Sequence, residues 1–441
     1  MKKKYLTGAL FLSLLKGYNN YLFAQEQMDE PDTLAQAIDK IQSDLILLNR
    51  LKITGYIQAQ YQKADTAGIE SFAGGNFPAN LDSRFAVRRG RFKLAYTNEL
   101  SQFVLQVDVT EKKVVIKDAY ATFTDKWLQT FSVTGGVFDR PFGYEISYSS
   151  SNRESPERSR IFQTLFPGER ELGAKLTIQP PKTSRFYFFK LEGGLFNGNG
   201  PNSELDKYKD FMGHLTLFKN ILNENVSVSG GASYYSGGWR QDTKYFYEIG
   251  RYTLTDGTDV KGFAKDSAKI GDQVKRHYYG VDGQVSFANN PLGLTTLRGE
   301  YINGQQPGTA ASSTSPTEFQ LAGDAYLRKV SGGYFYFLQN IASTRNQLVL
   351  KYDWFDPNTQ VKDDQVGAVG SNTGAADLKF TTFGIGWIYR WNSQIKITAY
   401  YDMVTNETSS AIAAIQKNNT VKTWSKDRTD NVFTLRVQYK F

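Results

Sequence analysis

The stretch RFAVRRGRFKLAY, Arg84 to Tyr96, gathers positive charge on an alternating pattern. In an extended chain, residues two apart share a face at a spacing of roughly 7 Å. Arg89, Arg91 and Lys93 therefore stack on one side. An oxyanion losing its hydration shell could pass from one to the next, each guanidinium offering a forked pair of donors to phosphate or carboxylate. The same row could equally form a solvated wall, paired with acids on neighbouring strands such as Asp108.

Other chemistry is sparse. The only histidines are His214 and His277, both in segments that read as strands, and there are 0 cysteines. No nucleophile elbow accompanies them, so a hydrolytic site of that type has no sequence support. Asp363-Asp364 lies in a loop without the spacing of a calcium loop. No metal ligand set and no cofactor motif is present, and a non-enzymatic role is expected.

The elements that must position the basic row are strands, because period-two alternation persists from Lys52 to the end. Ile53, Ile57 and Tyr61 oppose Tyr56, Gln58 and Gln60; Leu348, Leu350, Tyr352 and Trp354 oppose Gln347, Lys351 and Asp353; Phe433, Leu435, Val437, Tyr439 and Phe441 oppose Thr434, Arg436, Gln438 and Lys440. Short connectors near Asn98, Lys126, Pro180, Asn223, Asn290, Ser343 and Ser393 take turns with long ones at 63–83, 146–171, 241–276, 308–329, 359–379 and 407–430. Shorter breaks near 111–113 and 199–210 complete the series. About sixteen strands result, with both chain ends on the short-turn side, as in a bacterial outer-membrane barrel.

A soluble sandwich would alternate too, but many strands here run to ten or more residues, longer than a sandwich needs. Tyr61, Tyr96, Trp354, Trp391, Tyr401 and Tyr439 stand at the ends of apolar rows, where membrane interfaces place their girdles. With 27 Tyr, 30 Phe and 39 Gly, the composition suits strands and tight turns. The expected fold is therefore all-β, a transmembrane antiparallel barrel spanning residues 52–441. Its charged face is the inside.

That face carries Arg89, Arg91, Lys93, Lys175, Lys190, Arg298, Lys351, Lys396, Arg436 and Lys440 against Asp108, Glu192, Asp282, Glu300, Asp353 and Asp402. A basic excess in a pore favours anions. Residues 1–24, with Lys2, Lys3 and Lys4 before an apolar run, read as an export signal. Without them the net charge of +8 loses four lysines and no acid to become +4, weak grounds for nucleic-acid binding. Residues 25–51 read as a periplasmic helical segment, where Leu34, Ile38, Ile41, Leu45 and Leu48 recur at intervals of four and three. That spacing fits a helix docked on a core or a short coiled coil between subunits.

GGVFDRPFGYE, Gly135 to Glu145, followed by RESPERSRIFQTLFPGERELGAKL, Arg153 to Leu176, resembles the phosphate-selective porin O and P family of bacterial outer membranes. The likeness rests on Pro141-Phe142-Gly143, Glu157-Arg158-Ser159 and Arg170-Glu171-Leu172-Gly173, in order and spacing along the strand map. It implies a sixteen-stranded, trimeric porin in contact with outer-membrane lipid and lipopolysaccharide, its third long loop folded into the channel. Carried over by position, Arg158, Arg160 and Arg170 fall on or beside the constriction, with Arg140 close by. Asp139 departs from the family, which often has Lys there, and an acid at that place weakens the case for strict phosphate selectivity.

The expectation is a water-filled channel for small anionic solutes. Two other readings remain: a structural or partner-binding subunit of a secretion or uptake complex, and a barrel enzyme. If the 25–51 segment joins subunits, deleting Asp32 to Arg50 lowers the oligomeric state seen after mild detergent extraction. An unchanged oligomer removes that role.

Overall fold

The computed structural model describes residues 38–40, 45, 49–204, 206–222, 225–288, 291–316, 323–413, 415–417 and 420–441. Ile38 and Leu45 are helical, whereas Leu34, Ile41, Leu48 and the residues read as an export signal lie outside the described residues. The chain divides at Leu51 into two units, and the second, Lys52–Phe441, is the barrel.

Its strands follow in chain order: β1 (Leu51–Ala64), β2 (Ser83–Asn98), β3 (Ser101–Val109), β4 (Val114–Thr124), β5 (Phe131–Asp139), β6 (Arg170–Ile178) and β7 (Phe189–Phe196). Next come β8 (Asp210–Ile221), β9 (Val226–Arg240), β10 (Tyr245–Thr253), β11 (Asp259–Ser267), β12 (Gln273–Phe287), β13 (Thr295–Gly308) and β14 (Ala325–Asn340). The last are β15 (Asn346–Asp356), β16 (Phe380–Arg390), β17 (Ile395–Asn406), the small pair β18 (Ile415–Lys417) and β19 (Thr420–Lys422), and β20 (Val432–Lys440). Eighteen strands share one hydrogen-bonded sheet. Two of them, the β10–β11 hairpin, belong to a loop, since β9 pairs directly with β12; sixteen remain to form the ring.

The ring closes where β1 meets β20 in antiparallel register, Tyr56 opposite Lys440 and Gln60 opposite Arg436. Every backbone donor and acceptor in the hydrocarbon zone needs a partner, and closure supplies one to both edge strands. At the seam Gly55 and Phe441 exchange both backbone hydrogen bonds, at 3.1 and 3.0 Å. A Cβ on Gly55 would come within 2.5 Å of the Phe441 ring and 2.6 Å of the Arg91 carbonyl oxygen, so the terminal aromatic lies flat on a position with no side chain.

Side-chain exposure inverts the pattern of a soluble protein. Along β20, Phe433, Leu435, Val437 and Tyr439 are exposed while Thr434, Arg436 and Gln438 are buried. The same holds on β1, where Ile53 and Ile57 are exposed and Gln58, Gln60 and Gln62 are buried. An apolar outer belt over a polar interior is the arrangement of a barrel whose outer solvent is lipid. Aromatic side chains mark the turn end of the belt, with Trp127 at 82% and Trp391 at 62% exposure.

The interior is not uniformly polar, which corrects the sequence expectation. The connection 140–169, starting six residues earlier than the expected 146 and ending at 169 rather than 171, enters the lumen and carries a short helix, α1 (Arg160–Leu165). Phe142, Ile161, Phe162, Leu165 and Phe166 from this loop pack against Tyr235, Tyr278, Ile302, Tyr334, Tyr336, Val349, Ile388 and Tyr400 from β9 and β12 to β17. Ring pairs such as Phe142–Phe166 at 4.9 Å and Phe166–Tyr278 at 5.5 Å bind loop to wall. One side of the barrel thus has a hydrophobic core inside it, built by the loop.

Replacing Gly55 with Leu inserts a side chain between Phe441 and the β2 backbone. Overpacking of this kind costs about 1–3 kcal/mol. The folded, heat-modifiable band on unheated gels should fall several-fold, and a wild-type yield would show that the seam tolerates the bulk.

Candidate functional site

The loop core fills the lumen beside β8 to β17, so open space remains along β1 to β7. There a cavity of about 860 Å³ faces the turn end of the barrel, the periplasmic end by the rule of short periplasmic turns. Its wall includes Lys52, Arg91, Lys93, Lys175, Lys190 and Lys440, with Arg158 and Arg170 completing the cations and Asp118, Asp139 and Glu192 the acids. On the other side of the loop lies a pocket of only about 30 Å³, and Arg158 lines both. That smaller volume is room for one or two waters. Arg158 lines both cavities, and its neighbour Glu157 lines the smaller one.

Glu157 is one of the points at which loop and wall are joined. Its carboxylate accepts from Arg88 at 2.8 Å, Arg89 at 2.7 Å and Arg436 at 2.9 Å, while Arg153 approaches within 3.9 Å. Burial opposes its ionisation, but Arg88, Arg89, Arg436 and Arg153 outweigh it and hold this loop carboxyl well below the usual range. A charge removed from water in this way persists only when paired, and removing one partner costs about 3–5 kcal/mol. Arg88 and Arg89 are consecutive yet both reach Glu157, so β2 departs from strict alternation there.

The other sequence-predicted cations divide by the partners they have acquired. Arg91 meets Asp108 at 3.3 Å, the pairing that the solvated-wall reading anticipates. Arg170 binds Asp118 at 2.9 Å and Asp139 at 2.6 Å, so the acid that departs from the family pattern is paired with an arginine. Arg140 pairs with Glu171 at 2.9 Å, and Lys351 with Asp353 at 2.7 Å. Arg298 pairs with Glu154 at 3.0 Å and lies over the rings of Tyr144 and Tyr148 at 4.8 and 4.7 Å. Arg158 is paired with Glu169 and also donates to the carbonyl oxygens of Glu145 and Ile146 at 2.8 and 3.0 Å. Lys396 donates to the carbonyl oxygens of Ser151 and Arg153, at 2.8 and 3.2 Å.

Arg89, Arg298, Lys396 and Arg436 consequently hold the loop, and do so from the wall. Lys93 lines the open cavity without an ion pair among the described residues, as do Lys52 and Lys440. Arg160 is set apart, lining the 30 Å³ pocket and a further cavity beyond it.

Sequence reasoning missed most of the acids. Glu145, Glu154, Glu157 and Glu169 come from the loop, and their destination depends on its fold. Asp118 carried a local signal. The β3–β4 register shifts at Gln106/Val107, opposite the step from Ile116 to Asp118. A bulge lets consecutive residues face the same side, and here Lys117 reaches Glu169 while Asp118 reaches Arg170. Of the histidines, His214 lies 2.9 Å from Asp282, and His277 stacks edge-on with the exposed Tyr279 at 6.0 Å.

No family model and no curated protein matches the chain. Among solved structures it is similar to an anion-selective porin from Comamonas acidovorans, at 10% identity and a TM-score of 0.50, over 89% of this chain and 99% of that one. It is also similar to the outer membrane channel DcaP of Acinetobacter baumannii, at 11% identity and a TM-score of 0.50, over 89% of this chain and 97% of that one. At such identities the likeness establishes the fold alone, a closed sixteen-stranded antiparallel β-barrel.

Glu157→Gln leaves Arg88, Arg89, Arg153 and Arg436 facing an uncharged amide. Trypsin should then cut the loop after Arg153 or Arg158 at least ten times faster than in wild type, with the barrel strands still protected. Because the Glu157 carboxyl is lowered, its stabilising pairing is complete above about pH 4.3, the unfolded value. It is lost only as pH falls through the lower folded value, so wild-type loop protection should be the same at pH 7 and pH 5. Release on going to pH 5 would contradict that sign.

Proposed function

We propose that this barrel is a passive diffusion channel of the outer membrane that prefers small anions. The observation that carries the proposal is the cavity beside β1 to β7, where eight cations face three acids. All three acids are already engaged, Asp118 and Asp139 with Arg170 and Glu192 with Lys175 at 2.5 Å and Lys190 at 2.7 Å. Lys52, Lys93 and Lys440 add positive charge with no ion pair among the described residues. Walls of low dielectric focus such a field into the water between them and concentrate counter-ions there.

An anion leaving this cavity meets Arg158 at the constriction. Phosphate-like oxyanions suit the site because arginine offers them a planar fork and lysine a mobile point charge. The resemblance in the loop motifs supports that solute class. Asp139 opposes it less than its charge suggests, since its carboxylate is taken up by Arg170. A homotrimer set among outer-membrane lipid and lipopolysaccharide completes the proposal, with the apolar belt supplying the contact surfaces.

In planar bilayers under a potassium chloride gradient, the reversal potential should have the sign of chloride permeation. Lys93→Glu combined with Lys440→Glu should move the anion-to-cation permeability ratio several-fold toward one, with little change in folding because both side chains face open water. Reversal of cation sign in the wild type would overturn the anion preference, and absence of conductance would overturn the channel.

A further inference from the structure

Arg160 is the one arginine of the loop 140–169 whose guanidinium has no carboxylate or carbonyl oxygen within hydrogen-bond or ion-pair distance among the described residues. It is only 9% exposed, and Nε is fully shielded with no hydrogen-bond partner. Two aromatic rings hold it instead, Phe72 at 4.2 Å from the connection after β1 and Phe380 at 3.8 Å from the start of β16. A guanidinium clamped between two rings keeps its charge and its orientation, and the Nη groups of Arg160 donate to no acceptor among the described residues.

Arg160 lines a cavity of about 240 Å³ at the loop end of the barrel, distinct from the basic cavity at the turn end. Phe72, Phe355, Pro357, Leu378 and Phe380 give this cavity an apolar side. Arg428 adds a second cation, and Asp430 with Glu70 supplies acid. Asp430 is 3% exposed, and its Oδ1 also lacks a hydrogen-bond partner. The cavity thus brings together, beside an apolar wall, a buried cation and a buried anion that attract each other, although Arg160 Nε and Asp430 Oδ1 each lack a hydrogen bond. Buried polar atoms are nearly always paired, and each unpaired charge carries a large desolvation cost.

We propose that this cavity is a binding site for small zwitterions with an apolar side chain, free amino acids or very short peptides, loaded from the outer side of the membrane. The ligand carboxylate meets the Arg160 guanidinium with Arg428 behind it. The ligand ammonium meets Asp430, and the side chain lies against Phe72, Phe355 and Phe380. A simple dianion would gain from Arg160 and Arg428 but would also face Asp430, whereas a zwitterion matches both ends. A solute held here lies next to the 30 Å³ pocket, with which the cavity shares Phe72, Arg160 and Asp430, and in this proposal the site is a place of selection before passage.

The test is equilibrium binding of leucine to the detergent-purified barrel, by calorimetry, with 4-methylpentanoate as the probe lacking the ammonium. This readout needs no conductance, so the site can fail while the channel stands, and the reverse. Saturable binding of leucine, at least tenfold tighter than that of 4-methylpentanoate, is expected. Arg160→Gln should weaken leucine at least tenfold. Because Arg160 is buried and its loss could disturb the loop, Arg428→Gln on the half-exposed side serves as a second variant and should weaken leucine several-fold. Asp430→Asn should bring leucine down to the affinity of 4-methylpentanoate. Equal binding of the two probes would overturn the zwitterion assignment, and no binding of leucine to the wild type would overturn the site.

Discussion

In hydrocarbon a strand has no water to bond, so every N–H and C=O along it must find another strand. The rest of the molecule follows from that constraint. It requires the β1–β20 seam, and the seam explains why an aromatic terminus lies over Gly55. It also sends the apolar rows outward, because the solvent outside is oil. The polar rows then face inward by the two-residue period alone. The result is a protein whose charges are interior and whose hydrophobic surface is exterior.

Interior charge creates a second problem, solved by the loop 140–169. A wide ring left empty would be a water-filled tube whose charges are solvated separately. The loop turns half of the lumen into a packed core and brings its own carboxylates to the wall arginines. Gly143, with a φ of 64°, sits where a Cβ would lie 1.7 Å from Glu300 Oε1, so a side chain there would strain the Pro-Phe-Gly turn and displace the Glu300 carboxylate. The Glu300 carboxylate then accepts from the backbone N–H groups of Tyr144 and Glu145 at 3.2 and 3.1 Å. Glu157 completes the attachment further along the loop.

The fold was almost wholly legible from the residues, because period-two alternation and connector length are local properties. The strand number, the inward face of Arg436 and the outward face of Leu435 all follow from them. The site was legible only in part. That Arg89 and Arg436 face inward could be read from β2 and β20, but not that both end on Glu157, since the partner lies far away in sequence on a loop without periodicity. The inward aromatic residues Tyr334, Tyr336 and Tyr400 were hidden for a related reason. They stand on the face expected to be wet, and only the arrival of Phe162 and its neighbours makes it dry. The bulge at Lys117 was the one local irregularity that could have revealed an extra inward acid, Asp118.

The one-sided filling of the lumen also sets the dielectric surroundings of whatever passes. The cavity beside β1 to β7 is bounded on one flank by a single layer of strand backed by lipid, and on the other by the loop with its aromatic core. An ion in this cavity would lie between two poorly polarisable walls rather than on the axis of an open cylinder. In that geometry a wall charge is screened less than its distance through water alone would give. Bulk salt therefore weakens the influence of the Lys93 ammonium on this cavity less than it would on an open surface.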